Sequence, residues 1–176
     1  MRKVILFISM SLDGYIADSN GGVGWLSGQS DSAGDMDSYG EFIAGIDTVL
    51  MGGNTYRQIV NELSPDEWVY KGLKSYVISR CGGENSDEVF FTNDSPVKLV
   101  EELKPAEGSG IWICGGASIA RQLIKADMID RYHIYVIPTI LGGGIRLFGE
   151  GERELKLKLI KTQSYNGITD LVYERR

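Results

Sequence analysis

Three apolar segments of the chain each end in a turn of small residues, and turns of this kind are suited to binding phosphate groups. Glycine lets the backbone approach a ligand closely, and the first turn of a helix offers unpaired N–H groups and a partial positive charge. One such turn alone is better explained as a simple tight turn, but three together favour a site for a dinucleotide pyrophosphate. The segments are VLMGGNTY at 49–56, IWICGGAS at 111–118 and YVISRCGG at 76–83.

Charged residues lie close to the ends of these and other predicted strands. Arg80 directly follows the third segment, where a guanidinium group would pair with a terminal phosphate unless it is a solvated loop residue. Asp13 follows the first predicted strand, and its carboxylate either faces the same crevice or closes an Asp-Gly turn. Asp35 and Asp37 flank a predicted helix start, where solvent-facing caps are the simpler interpretation.

The composition excludes several classes of function. The chain has 176 residues, 43% of them hydrophobic and 24% charged, which is typical of one soluble globular domain. A net charge of −6 argues against a nucleic-acid-binding protein, and a single His excludes His-rich metal sites. Two Cys are too few for a disulfide framework and indicate reduced thiols in the cytoplasm. The apolar run at 4–10 is predicted to be a buried strand rather than a signal peptide. No stretch approaches the roughly 20 apolar residues of a membrane span, so no membrane partner is expected.

The hydrophobic periodicity predicts an α/β fold. Strands and helices alternate along the first two-thirds of the chain, which favours a mostly parallel sheet with helices on both faces. The late strands have no helices between them and predict an antiparallel extension, with 154–161 as an edge strand. Strands are predicted at 4–10, 47–51, 75–79, 88–91, 111–114, 132–138, 154–161 and 170–174, helices at 36–46, from 54, 96–103 and 117–126, and a long loop at 11–29.

Five motifs together resemble the dihydrofolate reductase superfamily. The resemblance is greatest to the branch typified by the reductase domain of the bifunctional riboflavin-biosynthesis protein. It implies a three-layer dihydrofolate-reductase-like domain spanning 1–176, with a mostly parallel eight-stranded sheet, NADPH as cofactor and a homodimeric assembly. The motifs are ISMSLDGYIA (8–17), VLMGGNTY (49–56), YVISR (76–80), IWICGGASIARQLI (111–124) and IPTILGGGIRLF (137–148).

The resemblance also implies which residues bind the cofactor and the substrate. The nicotinamide would lie beside the first loop, the pyrophosphate beside the Gly-Gly turns, and the adenosine 2′-phosphate beside Ser79 and Arg80. The implied cofactor-binding residues are Ile16, Ala17, Gly52, Gly53, Asn54, Thr55, Ser79, Arg80, Gly115, Gly116, Ala117 and Ser118. The implied substrate-binding residues are Trp25, Gly143 and Arg146.

Two positions depart from the pattern of dihydrofolate reductases. Those enzymes have Arg where this chain has Gly53, which removes one phosphate contact. Their helix carboxylate corresponds to a position near Ser38, with Asp37 beside it and Asp35 one turn earlier. In the riboflavin branch the Asp of SLDG faces the substrate, so Asp13 is the first catalytic candidate and Asp35 and Asp37 are the alternatives.

We therefore expect a cytoplasmic NADPH-dependent reductase that acts on a small molecule. The nicotinamide would deliver hydride to a C=N or C=O carbon of a heterocyclic or ribosylamino-pyrimidine-type substrate. Dihydrofolate reduction is one alternative. A non-catalytic NADPH-binding module, which keeps the crevice without the acid, is another.

Overall fold

The computed structural model describes residues 1–30, 38–150 and 154–176. Its strands are β1 (Val4–Ser11), β2 (Tyr15–Ala17), β3 (Ile46–Gly52), β4 (Lys74–Ile78), β5 (Val89–Thr92), β6 (Gly110–Gly115), β7 (Arg131–Ile137), β8 (Ile145–Arg146), β9 (Leu157–Tyr165) and β10 (Ile168–Arg175). Its helices are α1 (Ser38–Ile43), α2 (Gly53–Gln58), α3 (Pro96–Leu103) and α4 (Ala117–Lys125), and a π-helical turn at Ile59–Leu63 continues α2.

Eight of the strands form one mixed sheet in the order β5-β4-β3-β6-β1-β7-β10-β9. The first six strands in this order are parallel, whereas β10 is antiparallel to both β7 and β9. Because connections between parallel strands need a crossover, the helices lie on the faces of the sheet. The predicted α/β class, the eight strands and the antiparallel extension are confirmed, and β9 is an edge strand as predicted.

Side chains alternate between the two faces of the central strands and form a core on each face. On one face Leu6, Leu50 and Ile113 belong to the core cluster that includes residues of α3 and α4. On the other face Phe7 stacks on Phe42 of α1, with ring centroids 4.3 Å apart. The sheet is therefore the middle of three layers, and its long apolar runs follow from burial on both sides.

Two elements differ from the sequence prediction. The predicted loop at 11–29 contains β2, which pairs with β8 in a separate two-stranded sheet. Strands of two or three residues carry too little periodicity to be recognised, because long-range pairing fixes them. The predicted helix at 36–46 is helical only over Ser38–Ile43 within the described residues, and Ile46 begins β3 instead.

α3 follows its sequence signal closely. Ser95 precedes the helix, and its side chain accepts a hydrogen bond from the backbone N–H of Lys98 at 3.2 Å, while Pro96 occupies the first helical position. In the described part of the chain, no helix has the length and apolar character needed to cross a membrane.

Candidate functional site

The three small-residue turns predicted from the sequence meet at the carboxyl edge of the parallel strands. They follow β3, β6 and β4, and β3 lies between the other two. In the register of the sheet, Gly52 is opposite Ile78 and Met51 is opposite Gly115. The ends of three neighbouring strands therefore lie side by side. In open α/β sheets, ligands bind in a crevice at this carboxyl edge.

Side chains and backbone join these turns into one surface, which we call the rim and define as residues 52–55, 79–80 and 115–118. A Cβ placed on Gly52 would lie 3.8 Å from the backbone nitrogen of Gly116. Cβ atoms placed on Gly115 and Gly116 would lie 3.7 and 3.5 Å from Oγ1 of Thr55. Thr55 on α2 is thus in contact range of the turn that precedes α4.

The backbone at Gly116 is open enough for a ligand. Among the described residues, apart from its chain neighbours, only Oγ1 of Thr55 lies within 4 Å of its absent Cβ, so a side chain there would extend into the crevice. Gly116 precedes the nine-residue helix α4, which begins at Ala117 and bears Ser118 exposed in its first turn. Gly115 has a φ of +142°, which L side chains rarely adopt, and the peptide bond between the two glycines is cis.

Gly53 lies between a hydroxyl group and a guanidinium group. A Cβ placed on it would lie 3.1 Å from Oγ of Ser79 and 3.4 Å from Nη1 of Arg57. Arg57 also donates from Nη2 to Oδ1 of Asn54. Arg80 follows Ser79 directly and is exposed. Because Gly53 has no side chain, the polar groups of Ser79, Asn54 and Arg57 surround this part of the rim.

Charges are distributed unevenly between the two edges of the sheet. At the amino edge Arg2 pairs with Asp47, and Arg131 and Lys3 both pair with Glu174. At the carboxyl edge, neither Arg80 of the rim nor Arg57 beside it has a carboxylate at ion-pairing distance among residues 1–30, 38–150 and 154–176. In a chain with a net charge of −6, uncompensated arginines concentrated at one edge favour an anionic ligand there.

Asp13 is held by backbone groups of a distant loop. Its Oδ1 accepts hydrogen bonds from Oγ of Ser11 at 2.6 Å and from the N–H of Leu141 at 3.1 Å, and its Oδ2 accepts from the N–H of Gly142 at 2.8 Å. These bonds, the one from Ser11 first, lower the pKa of Asp13 to about 2. These hydrogen bonds favour the ionised carboxylate, and the assignment of Asp13 as the acid stays a prediction.

The loop that Asp13 holds leads into β8 and packs against the first loop. Gly144 has a φ of +132°, and a Cβ on it would lie 2.2 Å from the carbonyl oxygen of Ala17 in β2. The guanidinium group of Arg146 lies 4.6 Å from the centre of the Tyr15 ring. A Cβ on Gly143 would lie 3.6 Å from Oγ of Ser19. The predicted substrate residues Gly143 and Arg146 are therefore brought against the first loop.

Trp25 and Ile16 also belong to the first loop. Ile16 in β2 is half-buried and packs against the core that includes α3 and α4. Nε1 of Trp25 donates to the carbonyl oxygen of Gly22 at 3.2 Å, which holds the indole within its own turn. That turn is tied to the rim, because Nε2 of Gln58 on α2 donates to the carbonyl oxygen of Gly21 at 2.9 Å. The first loop thus reaches the helix that carries Asn54 and Thr55.

Three functional candidates were missed by the sequence analysis. Arg57 could have been identified from the sequence, because it lies four residues after Gly53 and therefore on the same face of α2. Gln58 and Arg121 could not have been identified in this way, because each donates hydrogen bonds to residues that are distant from it in the sequence. Arg121 on α4 donates to the carbonyl oxygens of Arg146 and Leu147, which fastens β8 to α4.

Near the position of the expected helix carboxylate, at the start of α1, the described residues present a pair of hydroxyl groups. Ser38 is buried, and its Oγ is hydrogen-bonded to the hydroxyl group of Tyr135 on β7. Asp35 and Asp37, the alternative acids, lie outside the described residues. On the same face, burial raises the pKa of the Cys114 thiol to about 11, so this cysteine is not a thiolate nucleophile.

No cluster of His, Cys, Asp and Glu suited to a metal ion occurs in the described ranges. A cavity of about 490 Å³ lies around the amino-terminal ends of β6 and β7, at the edge opposite the rim. Nε2 of the single His, His133, lies 2.7 Å from Oδ1 of Asp170 beside this cavity. His133 is thus remote from the three turns, and its pairing with Asp170 is a contact within the fold.

Comparisons with known proteins agree with this geometry. The model of the RibD C-terminal domain family matches residues 2–172. The Bacillus subtilis protein YwjB is 38% identical over 175 residues, which cover 99% of this chain and 98% of YwjB. The crystal structure of a candidate riboflavin biosynthesis protein from Shewanella sp. PV-4 has a TM-score of 0.83 and 32% identity, with 99% of each chain covered.

A dihydrofolate reductase from Schistosoma mansoni has a TM-score of 0.64 at 17% identity, with 99% of each chain covered, and this likeness concerns the fold alone. The fold, the order of the motifs and the match over nearly the whole length agree with one another. The chain belongs to the RibD C-terminal domain family.

Proposed function

We propose that the protein is an NADPH-dependent reductase of the riboflavin-biosynthesis type. It would transfer hydride to a C=N or C=O carbon of a ribosylamino-pyrimidine or a related heterocycle. The observation that carries the proposal is the rim, where three glycine-containing turns meet beside arginines that no described carboxylate neutralises. Membership of a family typified by a reductase domain supports the same reaction class.

The residues of the rim fit a dinucleotide. The open backbone at Gly116 and the first N–H groups of α4 would bind the pyrophosphate, because a helix N-terminus favours an anion. Ser79 and Arg80 would bind the adenosine 2′-phosphate through a hydroxyl and a guanidinium group. Ile16 and Ala17 would border the nicotinamide, which supplies hydride when NADPH is bound.

Asp13 has a positioning role in this proposal. Its ionised carboxylate fixes the backbone of Leu141 and Gly142, and β8 follows that loop directly. The loop residues Gly143 and Arg146 lie against the first loop, so Asp13 determines the shape of the region predicted to bind substrate. This role does not require Asp13 to supply the proton that completes the reduction.

A non-catalytic NADPH-binding module is the second candidate. It is favoured by one observation, the hydrogen bonds that both carboxylate oxygens of Asp13 accept, because they favour the ionised form over a proton donor. A module of this kind would keep the rim and bind the cofactor without consuming it. Dihydrofolate reduction depends on an acid near the start of α1, where Ser38 is paired with Tyr135 and the alternative acids Asp35 and Asp37 lie outside the described residues.

NADPH oxidation, followed by absorbance, tests these possibilities. The assay offers a phosphorylated ribosylamino-pyrimidine, dihydrofolate or no second substrate, and isothermal titration measures NADPH affinity in parallel. Turnover with the pyrimidine alone supports the proposal, and turnover with dihydrofolate alone replaces it by the folate activity. Tight NADPH binding without turnover on any compound identifies the module, whereas no NADPH binding contradicts both.

The assembly and location are part of the same proposal. The edge strand β9 exposes Leu159 and Ile160, which suits the homodimer that the family resemblance implies. Both cysteines, Cys81 and Cys114, are free thiols, which suits a reducing cytoplasm. Light scattering of the purified chain distinguishes a dimer from a monomer.

A further inference from the structure

A second cavity, of about 350 Å³, lies beside β5, the edge strand at the other end of the sheet from β9. Its walls come from α2 and the π-helical turn, from the loop at 64–68, and from the segment at 86–89 that enters β5. Among the described residues that line it, none belongs to the rim. Its volume is within the range of small-molecule sites, roughly 300–1,000 Å³.

Hydrogen bonds within the protein fix two of these walls. Oγ of Ser64 donates to the carbonyl oxygen of Glu67 at 2.8 Å, which closes the loop after the π-helical turn. Oγ of Ser86 accepts a hydrogen bond from the N–H of Val89 at 3.1 Å, where β5 begins. The carboxylate of Glu88 accepts from the N–H of Gly72 at 2.5 Å, which ties the same wall to the segment before β4. The cavity is therefore formed before any ligand binds.

Two aromatic side chains line the cavity. The rings of Tyr56 and Trp68 have centroids 5.7 Å apart and are tilted by 46°, and Tyr56 packs edge-on against Phe91 of β5 at 5.1 Å. Nε1 of Trp68 is buried and has no hydrogen-bond partner within the described ranges. A buried N–H without an acceptor is unfavourable, so a ligand oxygen that accepts this bond would bind favourably. The faces of such rings also attract cations.

The charged residues that line the cavity are all acidic. They are Asp66, Glu67 and Glu88. Lys71 pairs with Glu67 at 2.6 Å, and Glu67 first and Glu88 to a smaller extent raise its pKa. Asp66 has no ion-pair partner in the part of the chain that the structure describes. Three carboxylates beside one lysine leave an excess of negative charge, which favours a cation in the cavity.

We propose that this cavity is a second ligand site, which binds a small organic cation. The cationic group would lie against the rings of Tyr56 and Trp68, near the carboxylates, and an oxygen of the ligand would accept the hydrogen bond from Nε1 of Trp68. An organic cation fits better than a metal ion, because no group of His, Cys, Asp and Glu suited to a metal occurs in the described ranges. The inference goes beyond the proposed function, since it uses no residue of the rim.

Isothermal titration of choline and of 3,3-dimethyl-1-butanol into the full chain tests the site. Choline carries a quaternary ammonium group and a hydroxyl oxygen, and the alcohol has the same shape without the charge. Choline should bind at least about fivefold more tightly, because only its charged group interacts with the aromatic faces and the carboxylates in this way. This advantage should shrink as salt is raised, because Asp66 and Glu67 are exposed.

Two variants assign the contacts. Asp66→Asn should weaken choline by about twofold to fivefold, since one exposed charge is removed. Trp68→Phe keeps an aromatic ring without the N–H, so it should weaken choline more than tetramethylammonium, which has no oxygen to accept the bond. Glu102→Gln is the matched control, because Glu102 is exposed on α3 and its loss changes the net charge equally. Thermal unfolding should show that all three variants fold.

The outcomes decide the inference separately from the proposed function. Absence of choline binding, or equal affinity for choline and its uncharged isostere, overturns the proposed site. An equal loss in Asp66→Asn and Glu102→Gln also overturns it, because the effect would then come from net charge alone. Equal losses of choline and tetramethylammonium in Trp68→Phe overturn the role of the indole N–H. Titration of NADPH into the same protein tests the proposed function independently, since the rim takes no part in this site.

Discussion

Replacing Gly116 by Val should strongly weaken cofactor binding without unfolding the protein. Gly116 has φ −85° and ψ −170°, an extended conformation that a side chain accommodates. A Cβ there would lie 3.5 Å from Oγ1 of Thr55, which is an ordinary contact, and the two methyl groups of Val would extend into the crevice. The pyrophosphate would then be kept from the backbone N–H groups at the start of α4.

The size of the effect follows from the hydrogen bonds that the pyrophosphate could no longer accept. Two hydrogen bonds from backbone N–H groups to an ionised phosphate contribute about 3–6 kcal/mol, so affinity for NADPH should fall by about 100-fold or more. Both NADPH and NADH should be affected equally, because the pyrophosphate is common to them. A surface substitution changes stability by about 0.5 kcal/mol or less, which shifts Tm by about 2 °C or less in a chain of this size.

Gly45→Val is the matched control for this experiment. Gly45 lies at the opposite edge of the sheet, and a Cβ on it would lie 3.6 Å from the carbonyl oxygen of Phe42, a similar clearance. Titration calorimetry and thermal unfolding should be run on both variants. Undiminished NADPH binding by a folded Gly116→Val protein would refute the reasoning, since the glycines of the rim would then only form turns.

Three further substitutions test other parts of the account. Arg80→Ala should weaken NADPH by about tenfold and leave NADH unchanged, and the difference should shrink as salt is raised, because the group is exposed; equal titration curves for the variant and the unmodified chain would contradict this. Asp13→Asn should lower the free energy of unfolding near neutral pH, because the ionised form of Asp13 stabilises the fold and its folded-state pKa is lowered to about 2. This loss of stability should disappear as pH falls from 3.8 to about 2, and a loss that persists at lower pH would exclude an electrostatic cause. Gly144→Ala should lower the free energy of unfolding by about 2 kcal/mol or more, because its Cβ would lie 2.2 Å from the carbonyl oxygen of Ala17 at a φ of +132°. Denaturant unfolding measures this change, and a neutral effect would show that the loop adapts.

Much of the fold was predictable because the signals are local. The long apolar runs of β1, β3 and β6 identify strands buried on both faces, and a capping serine with proline marks the start of α3. The turns of the rim were predictable for the same reason, since each follows its strand directly. Their meeting at one edge follows from the parallel order of the strands.

The roles of individual side chains were less predictable, because they depend on distant contacts. Asp13 resembles a catalytic acid in sequence, but its carboxylate also accepts hydrogen bonds from the N–H groups of Leu141 and Gly142, which lie 128 and 129 residues away. β2 and β8 are too short to carry a pattern and exist through their pairing. Arg57 is recognisable only once helix α2 is known to begin at Gly53.

The most direct test of the central claim is a crystal structure of the protein with NADPH. The account predicts the pyrophosphate against Gly116 and Ala117, the 2′-phosphate beside Ser79 and Arg80, and the nicotinamide beside the first loop. NADPH bound at the amino edge of the sheet, or a rim that stays empty at saturating NADPH, would contradict the claim.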